Sequence, residues 1–338
     1  VKGGVVKVLI TGGAGFIGST VGSAMADRGI QPVILDNLVT GRRAFAEGRP
    51  FYEGDISDGA LVDRVFAEHP DIHAVVHCAA LIVVPDSVAE PLRYYRENVS
   101  KTIALVEHLL RNGCRRLLFS SSASIYAPGE DFTVDENSAL APESPYARTK
   151  AMIEEILADT TATGALDAIS LRYFNPIGAD PRMRTGLQIR QPSHALGKMI
   201  QAWEAGETFR ITGVDWPTRD GTGIRDYVHV WDLARAHVDA VQRFDEAVAA
   251  SDRPHYQVIN LGTGDGTTVR ELLAAFNSVV GKELAAEDVP ARPGDTIGAY
   301  TRTGRSRQLL GWQAELTVAE AIRHALEWRA RDTGTATA

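Results

Sequence analysis

The 338 residues carry 35 Lys and Arg against 43 Asp and Glu, a net charge of −8, with 44% hydrophobic side chains. Charge of both signs is spread along the chain, which disfavours a nucleic-acid or anionic-membrane binder, and no apolar run approaches the roughly 18 residues of a membrane span. The length suits one large domain or two unequal ones, each with its own core, and excludes a disulfide-stapled mini-protein.

In chain order, Val5–Ile10 reads as a strand followed by a helical stretch to Arg28, Pro32–Asp36 as a strand and Ala60–Glu68 as a helix. Strand His73–Cys78, helix Pro91–Asn112, strand Arg115–Ser121, helix Pro145–Thr163 and strand Ala168–Phe174 continue the rhythm. Such alternation predicts an α/β fold, a Rossmann-type doubly wound parallel sheet covered on both faces. The runs VVKVLI, HAVVHC and RRLLFSS are almost continuously apolar, as strands buried on both faces should be. After Phe174 the pattern breaks into a Pro, Gly and Arg-rich stretch from Pro176 to Pro192, helix Ala195–Glu204, strand Phe209–Ile211 and the loop Gly213–Arg225. Strands Tyr227–Val230 and Tyr256–Gly262 and helices Thr267–Val280 and Val318–Ala330 complete the chain. The expected division is a sheet domain over 1–176 with a returning segment near 229–262, a smaller irregular α/β substrate lobe over 177–228 and 263–332, and a frayed tail over 333–338. Cys78 and Cys114 lack CxxC spacing, and Val1–Gly4 leads straight into a strand without a secretory leader, so a reducing cytoplasm is expected.

Between the first strand and helix lies Thr11-Gly12-Gly13-Ala14-Gly15-Phe16-Ile17-Gly18, a GxxGxxG turn in strand–turn–helix context. Gly12 permits the tight turn, Gly15 lets backbone approach a pyrophosphate, and Gly18 lets the helix pack on the strand. Asp36, ending the second strand, suits the hydroxyls of an adenosine ribose and repels a 2′-phosphate, which favours NAD over NADP; the nearby Arg42 and Arg43 work the other way. Asp55-Ile56 reads equally as an adenine edge or as a helix cap.

Tyr146-Ala147-Arg148-Thr149-Lys150 puts a phenol and an ammonium on one helix face. The ammonium favours phenolate and should bring a pKa of about 10 toward neutrality, making Tyr146 a general base. Ser120, Ser121, Ser122 and Ser124 stand at a strand end, where such sheets bind ligands, and Ser122 is the candidate partner for a reacting alcohol. The nine histidines form no HxH or HExxH pattern, so no metal is expected.

These motifs, with His77-Cys78-Ala79-Ala80, Ser122-Ala123-Ser124-Ile125-Tyr126, Leu171-Arg172-Tyr173-Phe174-Asn175-Pro176 and the segment Asp220–Val230, together resemble the extended short-chain dehydrogenase/reductases. Among these, the resemblance is to the UDP-galactose (UDP-glucose) 4-epimerases, over nearly the whole chain. It implies an isomerase with tightly held NAD, a transient 4-keto sugar and no net redox. Tyr146 would take the proton from the sugar 4-hydroxyl while Lys150 holds the cofactor ribose. Phe16, Ile17, Asn37, Cys78, Ala79, Ala80, Asn98 and Tyr173 would join the glycine turn, Asp36, Asp55 and Ile56 around NAD.

At the sugar end the resemblance implies Asn175 and Tyr227 on the substrate, Arg225 and Arg292 on the diphosphate and Asp295 on a ribose hydroxyl. By sequence alone each arginine reads as a solvated charge, and His194 as a surface residue. Ala299 stands where a tyrosine restricts relatives to UDP-glucose and UDP-galactose, so the pocket is expected to admit UDP-GlcNAc and UDP-GalNAc. Ile82 replaces a lysine that contacts the cofactor, and the apolar run Leu81–Val84 is expected to be buried beneath it. Ala123-Ser124, where 4,6-dehydratases need acids, disfavours dehydration; a UDP-uronic acid epimerase and a non-catalytic NAD sensor are the alternatives. The resemblance also implies a homodimer built on the helices Pro91–Asn112 and Pro145–Thr163.

Overall fold

The computed structural model describes residues 5–127, 129–291 and 295–334. Its strands are β1 (Lys7–Thr11), β2 (Gln31–Asp36), β3 (Phe51–Glu53), β4 (Ile72–His77), β5 (Arg116–Ser122), β6 (Thr133–Val134), β7 (Asp167–Tyr173), β8 (Asn175–Ile177), β9 (Phe209–Thr212), β10 (Ile224–His229), β11 (Tyr256–Leu261), β12 (Gly266–Thr268), β13 (Ala286–Val289) and β14 (Tyr300–Thr301). The helices are α1 (Phe16–Asp27), α2 (Gly59–Glu68), α3 (Val84–Ala89), α4 (Pro91–Tyr94), α5 (Lys101–Arg111), α6 (Pro145–Ala162), α7 (Ala195–Ala205), α8 (Val230–Gln242), α9 (Phe244–Ala249), α10 (Val269–Val280), α11 (Gly304–Leu310) and α12 (Val318–Thr333).

Seven strands pair in the order β11-β7-β5-β4-β1-β2-β3, every pair parallel. The order reverses between β1 and β4, and a ligand crevice opens at the carboxyl ends of such a switch point. Alternation along each strand sends side chains to two separate cores. Val8 and Ile10 join Val21 and Met25 of α1, Leu233 of α8 and Phe244 of α9 on one face. Leu9 joins Val62 of α2, Leu105 of α5 and Ile153 of α6 on the other. The sheet is doubly wound, as the βαβ rhythm predicts.

The remaining strands form three small sheets, β12-β10-β8, β13-β9 and β14-β6. Beside them Leu196 and Met199 of α7, Phe276 of α10 and Ile322 of α12 make a further core. Capping boxes start α10 (Thr268 with Glu271) and α12 (Thr317 with Glu320).

Three local expectations are corrected and a fourth is refined. The stretch 91–112 is not one regular helix, because a π-helical segment at Tyr95–Ser100 separates α4 from α5. Arg225 lies within β10 rather than in the loop before it, since the strand begins at Ile224 to pair with β12. The run 81–84 is only partly buried by the chain itself: Leu81, Val83 and Val84 are half-buried and Ile82 is 55% exposed where the chain turns into α3. α12 continues through Thr333 to a left-handed cap at Gly334, and the rest of the expected frayed tail lies outside the described residues.

Candidate active site

The glycine turn sits where β1 meets α1, at the crevice. Gly12 has φ +71°, and a Cβ there would lie 2.6 Å from the Ala79 backbone nitrogen, so only glycine lets the turn close on Cys78–Ala79 after β4. Gly15, the N-cap of α1, offers no side-chain acceptor, which leaves the first-turn N–H groups around Phe16 and Ile17 for an anion. Gly18 is buried, Ile17 packs on the core, and Phe16 lines an apolar cavity with Leu187, Ile189 and Trp328.

Asp36 is 7% exposed, and its carboxylate accepts from the Ala14 N–H at 2.9 Å and the Leu38 N–H at 2.8 Å, with burial pushing its pKa up. Arg42 is paired with Asp332, and the exposed Arg43 lies against Glu53. A glycine turn, an uncapped helix start and a buried acid together fit an adenine dinucleotide without a 2′-phosphate. Asn37 is exposed and accepts from the Val39 N–H at 3.2 Å. Asp55 accepts from the Ser57 N–H at 2.9 Å and from Lys101 Nζ at 2.6 Å, while Ile56 is buried in the core with α2. The helix cap is Asp58, so Asp55 serves a turn and an ion pair.

Ser144 caps α6 and Pro145 begins it, which brings Tyr146, Lys150 and Glu154 onto one face. Lys150 is 3% exposed; its Nζ donates to the Ser120 carbonyl at 2.7 Å and lies 6.0 Å from the Tyr146 ring centre. Burial lowers its pKa to about 8, with Cys78 and Glu154 pulling the other way. Ser122, at the end of β5, donates to Ser124 Oγ at 2.9 Å. Burial raises the Tyr146 pKa, and Ser122 opposes it. The expected fall toward neutrality is therefore absent in the chain alone: desolvation dominates, and the ammonium's hydrogen bond goes to a carbonyl.

Two expected cofactor contacts have partners within the chain. Asn98, in the π-helical segment and 1% exposed, receives the Leu81 N–H at 2.8 Å and donates to the Leu81 carbonyl at 3.0 Å and Thr149 Oγ1 at 3.1 Å. Its amide thus ties the loop after β4 to α6. The Tyr173 hydroxyl pairs with His237 of α8. Cys78 and Ala80 are half-buried, and burial pushes the Cys78 thiol up to about 12.

Asn175 stands opposite Tyr227 in the β8–β10 pair. Tyr227 is 5% exposed and packed into the α7–α10 core. Arg225 is no solvated charge: its guanidinium donates to the carbonyls of Ile224 (2.8 Å), Ile297 (2.7 Å) and Thr296 (2.9 Å). A Cβ at Gly298, with φ +95°, would lie 1.9 Å from Arg225 Nη1, so this loop closes only on glycine. Asp295 acts electrostatically on Arg225. Ala299 packs against Phe174, Tyr126 and Val134, and Arg292 lies outside the described residues. His194 is half-buried rather than a surface residue, accepting from the Gly197 N–H at 3.2 Å to cap α7.

Beneath the site runs a chain of buried polar groups that sequence reasoning missed. Glu154 accepts from Ser121 Oγ and from Arg172 Nε at 2.9 Å; Arg172 Nη1 donates to Tyr126 Oη at 2.7 Å, which donates to Asn260 Oδ1 at 2.7 Å. Asn260 Nδ2 reaches Thr301 Oγ1 in β14 at 3.2 Å, directly beyond Ala299 and Tyr300. The available signal was Glu154 one turn after Lys150. Among the described residues no group of three His, Cys, Asp or Glu could hold a metal.

A family model described as NAD dependent epimerase/dehydratase matches residues 8–262. The UDP-glucose 4-epimerase of Rhizobium leguminosarum bv. trifolii is 39% identical over 96% of this chain and 97% of its own. Among solved structures, UDP-glucose-4-epimerase from Stenotrophomonas maltophila, with bound NAD and formylated UDP-arabinopyranose, superposes with a TM-score of 0.92 at 35% identity, covering 98% of this chain and 100% of that one. The UDP-Glc/GlcNAc 4-epimerase of Campylobacter jejuni gives 0.79 at 33%, covering 96% and 99%. The family match spans both the glycine turn and the Tyr146–Lys150 pair, and the chain belongs to the NAD dependent epimerase/dehydratase family.

Proposed function

We infer that the protein is an NAD-dependent UDP-hexose 4-epimerase interconverting UDP-glucose and UDP-galactose through a transient 4-keto sugar. The observation that carries the reading is the meeting of Ser122, Tyr146 and Lys150 at the carboxyl edge of the sheet, beside a dinucleotide-shaped turn, in a chain aligned over 96% of its length with a UDP-glucose 4-epimerase.

NAD, held by the glycine turn and Asp36, would supply the hydride chemistry at C4, accepting a hydride and returning it. Tyr146 takes the 4-hydroxyl proton and returns it after the keto sugar has turned over. Ser122 eases the phenolate and holds the reacting oxygen. Lys150 holds the ribose and keeps a positive charge behind the phenol. The nucleotide end belongs to residues 177–228 and 263–332, with Asn175 on the sugar, Arg225 and Arg292 on the diphosphate and Asp295 on the uridine ribose.

Ala299 offers only a methyl group over Phe174 and Tyr126, which supports a pocket that also takes UDP-GlcNAc and UDP-GalNAc. Val88 (60% exposed), Leu92 (74%), Ile103 (39%) and Met152 (47%) lie on α3, α4, α5 and α6, and these exposed apolar groups support a homodimer through those helices. Free Cys78 and Cys114 suit a reducing cytoplasm.

The test incubates the purified protein, without and with added NAD, with UDP-glucose, UDP-GlcNAc or UDP-glucuronate and reads products by proton NMR. C4-inverted UDP-galactose is expected. Inversion of UDP-glucuronate alone would favour the uronic-acid reading, and no product from any of the three, even with NAD, would overturn the assignment.

A further inference from the structure

Tyr173 closes β7 next to the catalytic residues, and its hydroxyl pairs with Nε2 of His237, the two side chains being 5% and 0% exposed with ring centres 5.3 Å apart. The direction of this bond is fixed by chemistry. His237 Nδ1 lies 2.8 Å from the Leu233 carbonyl, which can only accept, so Nδ1 carries the ring proton and Nε2 is the acceptor. Burial keeps the ring neutral, with a pKa of about 4. Tyr173 therefore gives its proton to α8, away from the crevice. Tyr173 stands opposite Ser122 in the β5–β7 pair, at the same strand edge as Ser120. Ser120 is also the residue whose carbonyl holds Lys150.

Tyr94 feels the charge of Tyr146, and it too is committed, donating to the Val83 carbonyl at 2.7 Å. The phenols around Tyr146 thus have their protons directed elsewhere. A buried phenol whose proton was free to turn toward Tyr146 or Ser120 would donate to the phenolate as it forms and compete with the sugar hydroxyl.

We propose that His237 is a positioning residue for the epimerisation, acting through Tyr173: by taking the Tyr173 proton it leaves Tyr146 as the phenol that exchanges a proton with substrate. The inference rests on the epimerase reading.

The test measures kcat and KM of purified holoenzyme for UDP-galactose in four variants, with thermal midpoints alongside. His237→Phe removes the acceptor and is expected to lower kcat roughly tenfold with KM within about twofold, a transition-state effect. His237→Gln, whose Oε1 can still accept, is expected to stay within about threefold of the parent. In a Tyr173→Phe background His237→Phe is expected to cost less than about twofold more, because the competing hydroxyl is already gone. The same tenfold loss in both backgrounds, or a His237→Gln enzyme as slow as His237→Phe, would overturn the proposal. Should His237→Phe not fold, His237→Asn against His237→Gln decides, since Asn keeps the bond to Leu233 but does not reach Tyr173; equal kcat values sink the idea. An inactive parent enzyme would instead count against the epimerase reading itself.

Discussion

Lys150 Nζ lies 6.0 Å from the centre of the Tyr146 ring, one turn further along α6, yet its hydrogen bond goes to the Ser120 carbonyl at 2.7 Å. Burial dominates both partners, raising the Tyr146 pKa and lowering that of Lys150 to about 8. A catalytic pair held in this way is kept at a cost to folding.

That cost has a sign that pH reveals. An unfolded lysine titrates near 10.4, so while Lys150 is charged in both states its burial destabilises the fold; the penalty is full below about pH 8 and fades as pH rises from 8 toward 10. Lys150→Met should stabilise the cofactor-free chain at pH 7 by roughly 1–3 kcal/mol, the loss of the Ser120 bond setting the lower figure. By pH 9 the advantage should have shrunk by about 1.3 kcal/mol, while turnover falls at least about 100-fold at any pH. Urea unfolding at both pH values checks this, and a gain of the same size at pH 7 and pH 9 would exclude the desolvation account.

Tyr146→Phe keeps the ring and removes the proton carrier. General acid–base catalysis contributes about 10²–10⁴-fold, so kcat should fall by that range with KM for UDP-galactose within about threefold. Ser122→Ala should cost less, roughly 10- to 100-fold, because the serine assists the phenolate without taking the proton. Steady-state kinetics on both variants settle the ranking, and a Ser122→Ala loss as deep as that of Tyr146→Phe would assign the proton to the serine.

Parts of this site are local and were legible in the residues. The glycine turn and Tyr146–Lys150 are short-range patterns, and runs such as Val8-Leu9-Ile10 state their burial on both faces directly. What was hidden depends on partners distant in sequence. Arg225 looks like a loop cation until Thr296 and Ile297 close over it, and nothing local announces that Asn98 meets Leu81 or that Tyr173 meets His237. The raised Tyr146 pKa was hidden for another reason: desolvation is a property of the packed fold, whereas a spacing rule sees only the neighbouring charge.

Ala299 ties sugar choice to packing. It packs against the cluster of Phe174, Tyr126 and Val134, and on the proposed reading a larger side chain there narrows the sugar pocket. Ala299→Tyr should therefore lower kcat/KM for UDP-GlcNAc at least about tenfold relative to UDP-glucose. Competition of the two substrates in one NMR tube gives the ratio directly, and an unchanged ratio would place the selecting contact elsewhere.

The cofactor loop is strapped from outside the sheet. The Arg42 N–H donates to the Ala14 carbonyl of the glycine turn at 2.9 Å, while its guanidinium reaches Asp332 of α12 and the Gln188 carbonyl at 2.9 Å. Gln188 Nε2 in turn donates to the Thr40 carbonyl at 2.8 Å. The segment that follows Asp36 is thus held between the turn and the C-terminal helix, in a chain where Ile82 offers no charge to the cofactor. Asp332→Ala removes one anchor of this strap. A partly exposed ion pair is worth about 0–1 kcal/mol, so the rate at which NAD leaves the enzyme should rise by up to about fivefold, and the difference from the parent should shrink in molar salt. Cofactor remaining after timed gel filtration measures this. Equal retention at low salt would show that the strap shapes the loop without holding the cofactor, whereas faster loss that salt abolishes in the comparison would identify the Arg42–Asp332 pair as its fastening.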